Sequence, residues 1–278
     1  MRVTIQQLKD MKERGERIAM LTAYDYTSAK LVEQADVPVI LVGDSLGQVV
    51  LGHDSTIPVT MDDMIHHSRA VVRGTEKAHI VVDMPFMSYH AEWPAAVRNA
   101  GRLMKEGGVN SVKLEGGRDL TRTVQRMVKA GIPVMGHIGL TPQSVNQLSG
   151  YKVQGRSSEQ AAELLADAVA LEEAGAYAIV LELVPAPLAK LITEKLSIPT
   201  IGIGAGPYCD GQVQVFHDVM GLFEDFVPKH TRRYAKLGDE IRQAVWTYVA
   251  DVKDGRFPTA AESYDLDDVL LSQLSDKK

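Results

Sequence analysis

Cysteine is almost absent from this 278-residue chain. The single thiol, Cys209, excludes an internal disulfide, and no cysteine and histidine residues have the spacing of a zinc site. We therefore expect a reducing compartment and predict a cytoplasmic location. The N-terminal segment agrees with this prediction, because it carries charges throughout and lacks the apolar core of a secretory signal.

Long apolar runs and basic stripes are also lacking. No run approaches the roughly 20 apolar residues that a membrane-spanning helix needs, so we expect no membrane partner. The 30 Lys and Arg residues are outnumbered by 36 Asp and Glu residues, which gives a formal net charge of −6. Basic and aromatic residues do not alternate along any segment, so we expect no nucleic-acid partner.

Short apolar, β-branched runs alternate with longer segments of helical periodicity. This alternation is typical of βαβ units and a parallel sheet, and continuous apolarity is expected of strands covered on both faces. The pattern predicts an α/β protein with a (β/α)₈ TIM barrel, with a doubly wound open sheet as the lesser alternative. The predicted strands cover residues 18–23, 37–43, 78–83, 111–115, 133–137, 176–183, 199–204 and 213–218.

Helices are predicted between these strands and after the last one. Thr60 before two acids is typical of an N-cap, and Gly107 and Gly175 stand where helices end. From about residue 229 the sequence changes to a charged helix and an acidic tail. We therefore predict one barrel domain, 1–278, in which residues 229–278 form a C-terminal helical appendage packed on the barrel. The main predicted helices cover residues 60–74, 92–107, 119–130 and 157–174.

Polar side chains collect where the predicted strands end. The carboxyl ends of parallel strands share one rim of a barrel, where barrel enzymes place their chemistry. Carboxylates that face one pocket repel each other by several kcal/mol at low effective dielectric, and a cation removes that repulsion. These residues are Asp44 and Ser45 after strand two, Asp83 in strand three, Lys113 and Glu115 in strand four, His137 in strand five and Glu182 in strand six.

The types of these residues favour a magnesium site with a nearby base. Oxygen donors without cysteine suit Mg²⁺, which keeps open positions for water and substrate. We predict Asp44, Asp83 and Glu115 as its ligands, and Glu182, two strands further round the rim, as the general base. Taken singly, the residues also have structural interpretations: Asp44 suits a turn, and His137 suits a hydrogen-bonded core position.

The ordered motifs of the chain resemble the ketopantoate hydroxymethyltransferase family. They are MLTAYD (20–25), LVGDSLG (41–47), PVTMDDM (58–64), DMPFMSY (83–89), RLMKEGG (102–108), VKLEGG (112–117), GHIGLTPQ (136–143), GIGAGPYCDGQV (202–213) and GRFP (255–258). The resemblance implies a (β/α)₈ barrel that assembles as a homodecamer. It also implies that 3-methyl-2-oxobutanoate, 5,10-methylenetetrahydrofolate and water become 2-dehydropantoate and tetrahydrofolate, through an enolate stabilised by Mg²⁺, in pantothenate and coenzyme A synthesis.

The resemblance also implies a role for each rim residue, with a small keto acid and a folate as the partners. It implies metal ligation by Asp44, Asp83 and Glu115. The substrate contacts it implies are Asp44, Ser45, Asp83 and Lys113, and the proton acceptor is Glu182. His137 lies in a matching motif, and we predict a polar substrate contact for it.

Two other classes of function are open from the residues alone. Another Mg²⁺-dependent 2-oxo-acid lyase or mutase, of the phosphoenolpyruvate mutase and isocitrate lyase kind, would need the same rim for enolate chemistry. Such enzymes commonly use a reactive cysteine or a phosphate site, whereas Cys209 follows strand seven and the glycine-rich segment 202–206 suits a tight turn as well as a phosphate. A non-enzymatic scaffold would bind only a structural cation at the rim.

Overall fold

The structure, a computed structural model, describes residues 1–148 and 150–275. Its strands are β1 (Ile18–Thr22), β2 (Val39–Val42), β3 (His79–Asp83), β4 (Ser111–Glu115), β5 (Val134–Gly139), β6 (Ala178–Glu182), β7 (Thr200–Ile203) and β8 (Gly211–Gln214). Each strand pairs in parallel with the next, and β8 pairs with β1, so the sheet closes into a barrel. The predicted (β/α)₈ barrel is therefore confirmed, and the open-sheet alternative is wrong.

Helices connect the strands, and α4 begins after the residue expected to cap it. They are α1 (Ile5–Glu13), α2 (Tyr26–Gln34), α3 (Leu46–Val49), α4 (Met61–Arg73), α5 (Trp93–Arg102), α6 (Thr121–Lys129), α7 (Val145–Leu148), α8 (Ser158–Glu173), α9 (Ala186–Lys195), α10 (Phe216–Val219), α11 (Leu237–Lys253) and α12 (Asp268–Ser275). A π-helical segment, Leu103–Gly107, continues α5, and 3₁₀ turns cover Arg118–Leu120, Pro142–Ser144 and Ala260–Glu262. The Thr60 side chain accepts the Asp63 N–H, and the Asp63 carboxylate accepts the Thr60 N–H, which confirms the predicted N-cap of α4.

Two apolar layers fill the fold, and alternate strand residues supply them. In β2, Ile40 and Val42 belong to the outer layer, which also contains the buried faces of the surrounding helices. Val39 and Leu41 belong to the inner layer within the barrel. Leu8 of α1 belongs to this inner layer too, so α1 closes the amino-terminal end of the barrel. The opposite, carboxyl-terminal end stays available for polar side chains.

The last strand lies earlier in the chain than predicted, so the prediction of strand 213–218 is wrong. β8 ends at Gln214, and α10 begins at Phe216. The Phe216 N–H donates to the Thr22 side chain instead of continuing the ladder. β1 approaches Gly211, the first residue of β8, so closely that a Cβ there would lie 2.4 Å from the Ile18 carbonyl oxygen, which explains the glycine at this position.

The contacts of helix α11 with the preceding segment lie in its first two turns, where Arg242 also forms an ion pair with Glu224. The N–H groups of Leu237 and Gly238 donate to the carbonyl oxygens of Met220 and Gly221. No residue of α11 is buried. The packing of residues 229–278 on the barrel within a single domain stays a prediction. Separately, none of the helices within the described ranges has the length and apolarity required to cross a membrane.

Close packing between β5 and β6 yields a stability prediction. Gly139 has a φ of +94°, and a Cβ there would lie 2.2 Å from the Glu182 carbonyl oxygen. Gly131 has a similar φ of +84°, but a Cβ there would meet nothing within 4 Å. We expect Gly139→Ala to lower the free energy of unfolding by at least about 2 kcal/mol more than Gly131→Ala, because only the first adds overpacking to backbone strain. Urea denaturation measures both variants, and equal losses would contradict the prediction.

Candidate active site

The rim residues predicted from sequence come together at the carboxyl ends of five neighbouring strands. The five residues that lie within strands face the inside of the barrel because side chains alternate: Asp83 follows the inner-layer residue Val81 by two positions, and Glu182 follows Val180 in the same way. These five are Asp83 in β3, Lys113 and Glu115 in β4, His137 in β5 and Glu182 in β6, and the other two rim residues, Asp44 and Ser45, follow β2.

Strand pairing sets the contacts of the buried lysine. Asp83 stands opposite Lys113 in the register of β3 and β4. The Lys113 Nζ lies 2.8 Å from Asp83 Oδ1 and 3.1 Å from the Nδ1 atom of His137. Burial opposes the charge of Lys113, but three neighbouring acids outweigh it and raise the pKa of the ammonium. Lys113 is therefore a permanently charged group inside the rim.

Asp44 is the rim carboxyl group whose negative charge is least balanced by neighbouring groups. Its backbone N–H donates to Asp83 Oδ2 at 3.0 Å, and its Oδ2 accepts from Gln143 Nε2 at 2.8 Å. Burial, followed by the charges of Asp83 and Glu115, raises the pKa of Asp44 well above its ordinary value. The charge of Lys113 opposes this shift without cancelling it. The site thus disfavours three simultaneous negative charges.

His137 lies between two carboxylates. It stands opposite Glu115 in the register of β4 and β5, with its Nδ1 3.5 Å from Glu115 Oε1. Its Nε2 lies 3.2 Å from Glu182 Oε2. Burial and Lys113 lower the pKa of His137, but the contacts with Glu115 and Glu182 outweigh them and raise it to about 9. Burial raises the pKa of Glu115, but the contact with His137 and the charge of Lys113 outweigh burial, so the pKa of Glu115 is lowered. Glu182, with a side chain 15% exposed, is the rim carboxylate most open to an incoming molecule.

The charge and donor set fit a divalent cation. Asp44, Asp83 and Glu115 are all buried and share one buried ammonium, and oxygen is the donor that Mg²⁺ prefers. Asp83 Oδ1 receives no hydrogen bond from the described residues beyond its ion contact with Lys113. Across residues 1–148 and 150–275, no group of three or more His, Cys, Asp or Glu side chains is arranged to hold a metal ion. The fit to a cation therefore rests on the charge and the oxygen donors of these acids, and Mg²⁺ commonly keeps water or substrate oxygens among its ligands.

Three residues of the site escaped the sequence analysis: Tyr24, Tyr89 and Gln143. The Tyr24 hydroxyl lies 2.8 Å from Ser45 Oγ, and Tyr89 and Gln143 contact the acids Glu115 and Asp44. None of the three carries a charge or stands at a strand end. The available signal was their position in the loops that follow β1, β3 and β5.

Two further features bear on the lyase or mutase alternative. Cys209 is 1% exposed, and burial raises the pKa of its thiol, so it has no thiolate character. In the glycine-rich segment, a Cβ on Gly204 would lie 2.5 Å from Leu183 Cδ2, and one on Gly206 would lie 2.4 Å from Ala186 Cβ. These glycines permit close packing, which agrees with the tight-turn interpretation.

Comparison with known proteins connects this rim to one enzyme family. Residues 2–260 match the family model described as ketopantoate hydroxymethyltransferase. The chain is 61% identical over 274 residues to a 3-methyl-2-oxobutanoate hydroxymethyltransferase of Dehalococcoides mccartyi, which covers 99% of this chain and 97% of that protein. It is 58% identical over 272 residues to the protein of the same name from Chloroflexus aurantiacus, with coverage of 98% and 96%.

A solved structure supports the architecture independently. The phosphoenolpyruvate phosphomutase of Streptomyces platensis subsp. rosaceus superposes with a TM-score of 0.60, covering 99% of this chain and 96% of that chain. The two sequences are 16% identical. At this identity the likeness shows the fold alone.

The raised pKa of Asp44 predicts that its charge destabilises the cation-free protein. The folded state binds a proton at Asp44 more tightly than the unfolded state, so stability falls as pH rises from the unfolded pKa towards the folded one. We expect Asp44→Asn in EDTA at pH 8 to raise the Tm by at least about 2 °C, and the gain to shrink as the pH falls towards about 4. Scanning calorimetry would measure both; a lower Tm for the variant in EDTA at pH 8 would contradict the interpretation. Added Mg²⁺ should stabilise the wild-type protein more than the variant.

Proposed function

Because this chain belongs to the ketopantoate hydroxymethyltransferase family, we propose that its rim transfers a hydroxymethyl group from 5,10-methylenetetrahydrofolate to 3-methyl-2-oxobutanoate. The product is 2-dehydropantoate, for pantothenate and coenzyme A synthesis in the cytoplasm. The family model and the names of relatives at 55–61% identity support a hydroxymethyltransferase. The observation that carries the mechanism is a partly exposed carboxylate, Glu182, which contacts His137 on the rim that also holds a buried ammonium and three buried carboxylates.

Substrate positioning falls to Lys113 and Ser45. The fixed positive charge of Lys113 suits the carboxylate or the developing oxyanion of a 2-oxo acid. Ser45 offers a hydroxyl, and the Tyr24 hydroxyl at 2.8 Å holds that side chain in place. Asp44 and Asp83 complete the proposed substrate contacts. Two fixed polar contacts orient one face of the substrate towards the base.

Proton abstraction falls to Glu182. Its carboxylate takes the proton from C3, and the electron pair of the broken C–H bond moves into the enolate of the neighbouring ketone. C3 then bonds to the one-carbon unit of the donor, and the oxygen of water becomes the hydroxyl oxygen on that carbon. Both C–N bonds of the one-carbon unit break, their electron pairs stay on the two folate nitrogens, and these nitrogens take one proton from Glu182 and one from the water, so that tetrahydrofolate leaves. His137 Nδ1 lies 3.1 Å from Lys113 Nζ, and its Nε2 lies 3.2 Å from Glu182 Oε2 without hydrogen-bond geometry to any described residue. We propose that this proximity helps to position Glu182, and the substrate contact predicted for His137 stays a proposal beside it.

Asp44, Asp83 and Glu115 are the residues that would hold Mg²⁺. When bound, the ion supplies Lewis-acid polarisation of the ketone, which favours the enolate. The chain's own contribution is to gather these acids beside Lys113 and Glu182. The lyase or mutase alternative shares such chemistry, and the named relatives favour the transferase. Dependence on the folate donor separates the two.

Glu182→Gln tests the base. We expect about 10²-fold or greater loss in the exchange of the C3 proton of 3-methyl-2-oxobutanoate for deuterium, followed by NMR in D₂O with Mg²⁺ and no folate. Glu173→Gln, on the exposed end of α8, is the matched control and should exchange at the wild-type rate. Calorimetric binding of keto acid and metal should survive in both variants.

The outcomes of this experiment are distinct. Unchanged exchange in Glu182→Gln would remove Glu182 from the role of base. Wild-type exchange without product formation after methylenetetrahydrofolate is added would favour the lyase or mutase alternative. Absence of exchange with any divalent metal would overturn the assignment of the rim.

We also propose that the protein is a homo-oligomer, with the decamer implied by the family resemblance. Helix α11 carries a stripe of exposed apolar residues with helical spacing. These are Ile241, Val245, Tyr248, Val249 and Val252. The barrel also has an uncovered outer surface at β1 and β8. Ala19 of β1 and Gln212 of β8 are exposed, whereas every residue of β2, β3 and β4 is buried. The stripe of α11 from one copy would cover this surface of its neighbour.

A charge in the middle of the α11 stripe tests this assembly. We expect Val245→Glu to give a smaller species than the wild type in light scattering coupled to size exclusion, because a carboxylate buried at the interface is unfavourable. Leu31→Glu, at a 56% exposed position of α2, is the matched control and should keep the wild-type mass. A wild-type mass for Val245→Glu would exclude the stripe as an interface.

A further inference from the structure

Gln143 lies within the acidic rim and is 2% exposed. Its Nε2 donates to Asp44 Oδ2 at 2.8 Å and to the Met84 carbonyl oxygen at 2.9 Å. Its backbone N–H donates to Glu115 Oε2 at 3.0 Å. One neutral residue in the loop after β5 therefore holds one oxygen of each of two carboxylates, which arrive from β2 and β4.

The partners of the Gln143 amide fix its orientation. An amide nitrogen offers two protons, and here both have acceptors, whereas the Oε1 atom accepts from the Tyr89 hydroxyl at 2.8 Å. The opposite orientation would set Oε1 against the Met84 carbonyl and, in the ionised state that binds a cation, against the Asp44 carboxylate, which leaves three buried acceptors without a proton between them. Such unsatisfied groups cost about 1–3 kcal/mol each. Only one orientation of the amide is compatible with these neighbours.

Tyr89 holds the amide from the opposite side. A phenol has one proton, and Gln143 Oε1 at 2.8 Å is closer than the Glu115 carbonyl oxygen at 3.2 Å, so the proton points towards Gln143. The phenol oxygen accepts the backbone N–H of Glu115 at 3.0 Å. Tyr89 is 1% exposed. It thereby connects the Gln143 amide to the backbone of the strand that carries Glu115.

We propose that Gln143, oriented by Tyr89, is a positioning residue that holds Asp44 and Glu115 for the divalent cation. The inference rests on the proposed function, because it takes these carboxylates as metal ligands. Gln143 engages one oxygen of each carboxylate and leaves Asp44 Oδ1 and Glu115 Oε1 to other partners. A neutral donor suits this place, since a basic side chain would compete with the cation and an acidic one would add repulsion.

Gln143→Leu removes the amide and keeps the backbone N–H. We expect the Kd for Mn²⁺ and for Mg²⁺, measured by calorimetry on the metal-free protein, to rise about 10–100-fold, the usual effect of removing a hydrogen-bond partner of a ligand. Gln125→Leu, at an exposed position of α6, is the matched control and should keep the wild-type Kd. A role confined to stability would lower the Tm of Gln143→Leu without changing the Kd.

Tyr89→Phe provides an independent variant, which carries the test if Gln143→Leu fails to fold. It removes the hydroxyl that orients the amide and that accepts the Glu115 N–H, and it keeps the amide itself, so we expect the Kd to rise by a smaller factor than in Gln143→Leu. Because both residues act in part through one amide, the loss of binding free energy in the double variant should be smaller than the sum of the two single losses.

Wild-type metal affinity in folded Gln143→Leu, or in Tyr89→Phe where only that variant folds, would overturn the inference. Full additivity of the two substitutions would overturn it as well. If the wild-type protein itself binds neither Mn²⁺ nor Mg²⁺, the metal assignment in the proposed function fails, and the inference falls with it. The wild-type titration therefore distinguishes the two failures before any variant is compared.

Discussion

The buried ammonium of Lys113 is the charge on which the arrangement of the rim depends. It lies 2.8 Å from Asp83 and is surrounded by buried acids that would otherwise repel each other. At most two positive charges, on Lys113 and His137, face the four rim carboxylates, and the raised pKa of Asp44 reflects this excess of acids. This imbalance makes the rim receptive to a cation. The same ammonium is also the group best suited to an anionic substrate.

Most of the site could be predicted because its charged members stand at strand ends. An ionisable residue that ends an apolar strand is visible in sequence, and parallel strands bring such residues to one rim. Asp83, Glu115 and Glu182 were located on this basis alone. Gln143 and Tyr89 were not, because they are neutral, lie within loops, and gain their importance only from contacts that join distant segments.

The fold could be predicted for a related reason, and the errors of that prediction have local causes. Eight apolar runs were recognised, but the run around residues 213–218 combines a short strand with the start of a helix. Apolar composition alone does not separate the two, whereas the bond from the Phe216 N–H to Thr22 does. The exposure of α11 was equally invisible, since an amphipathic helix has the same sequence whether its apolar stripe meets its own barrel or another chain.

The register of the barrel has a consequence for how this site arises during folding. Asp83 pairs with Lys113, and Glu115 pairs with His137, across directly neighbouring strands. A slip of one residue in β4 would turn Lys113 and Glu115 into the apolar outer layer and expel two charges from their partners. Such a slip would therefore destabilise the apolar core. Functional geometry and correct strand alignment therefore depend on the same residue pairs, so a misregistered β4 would lose the site and part of the stability of the barrel together.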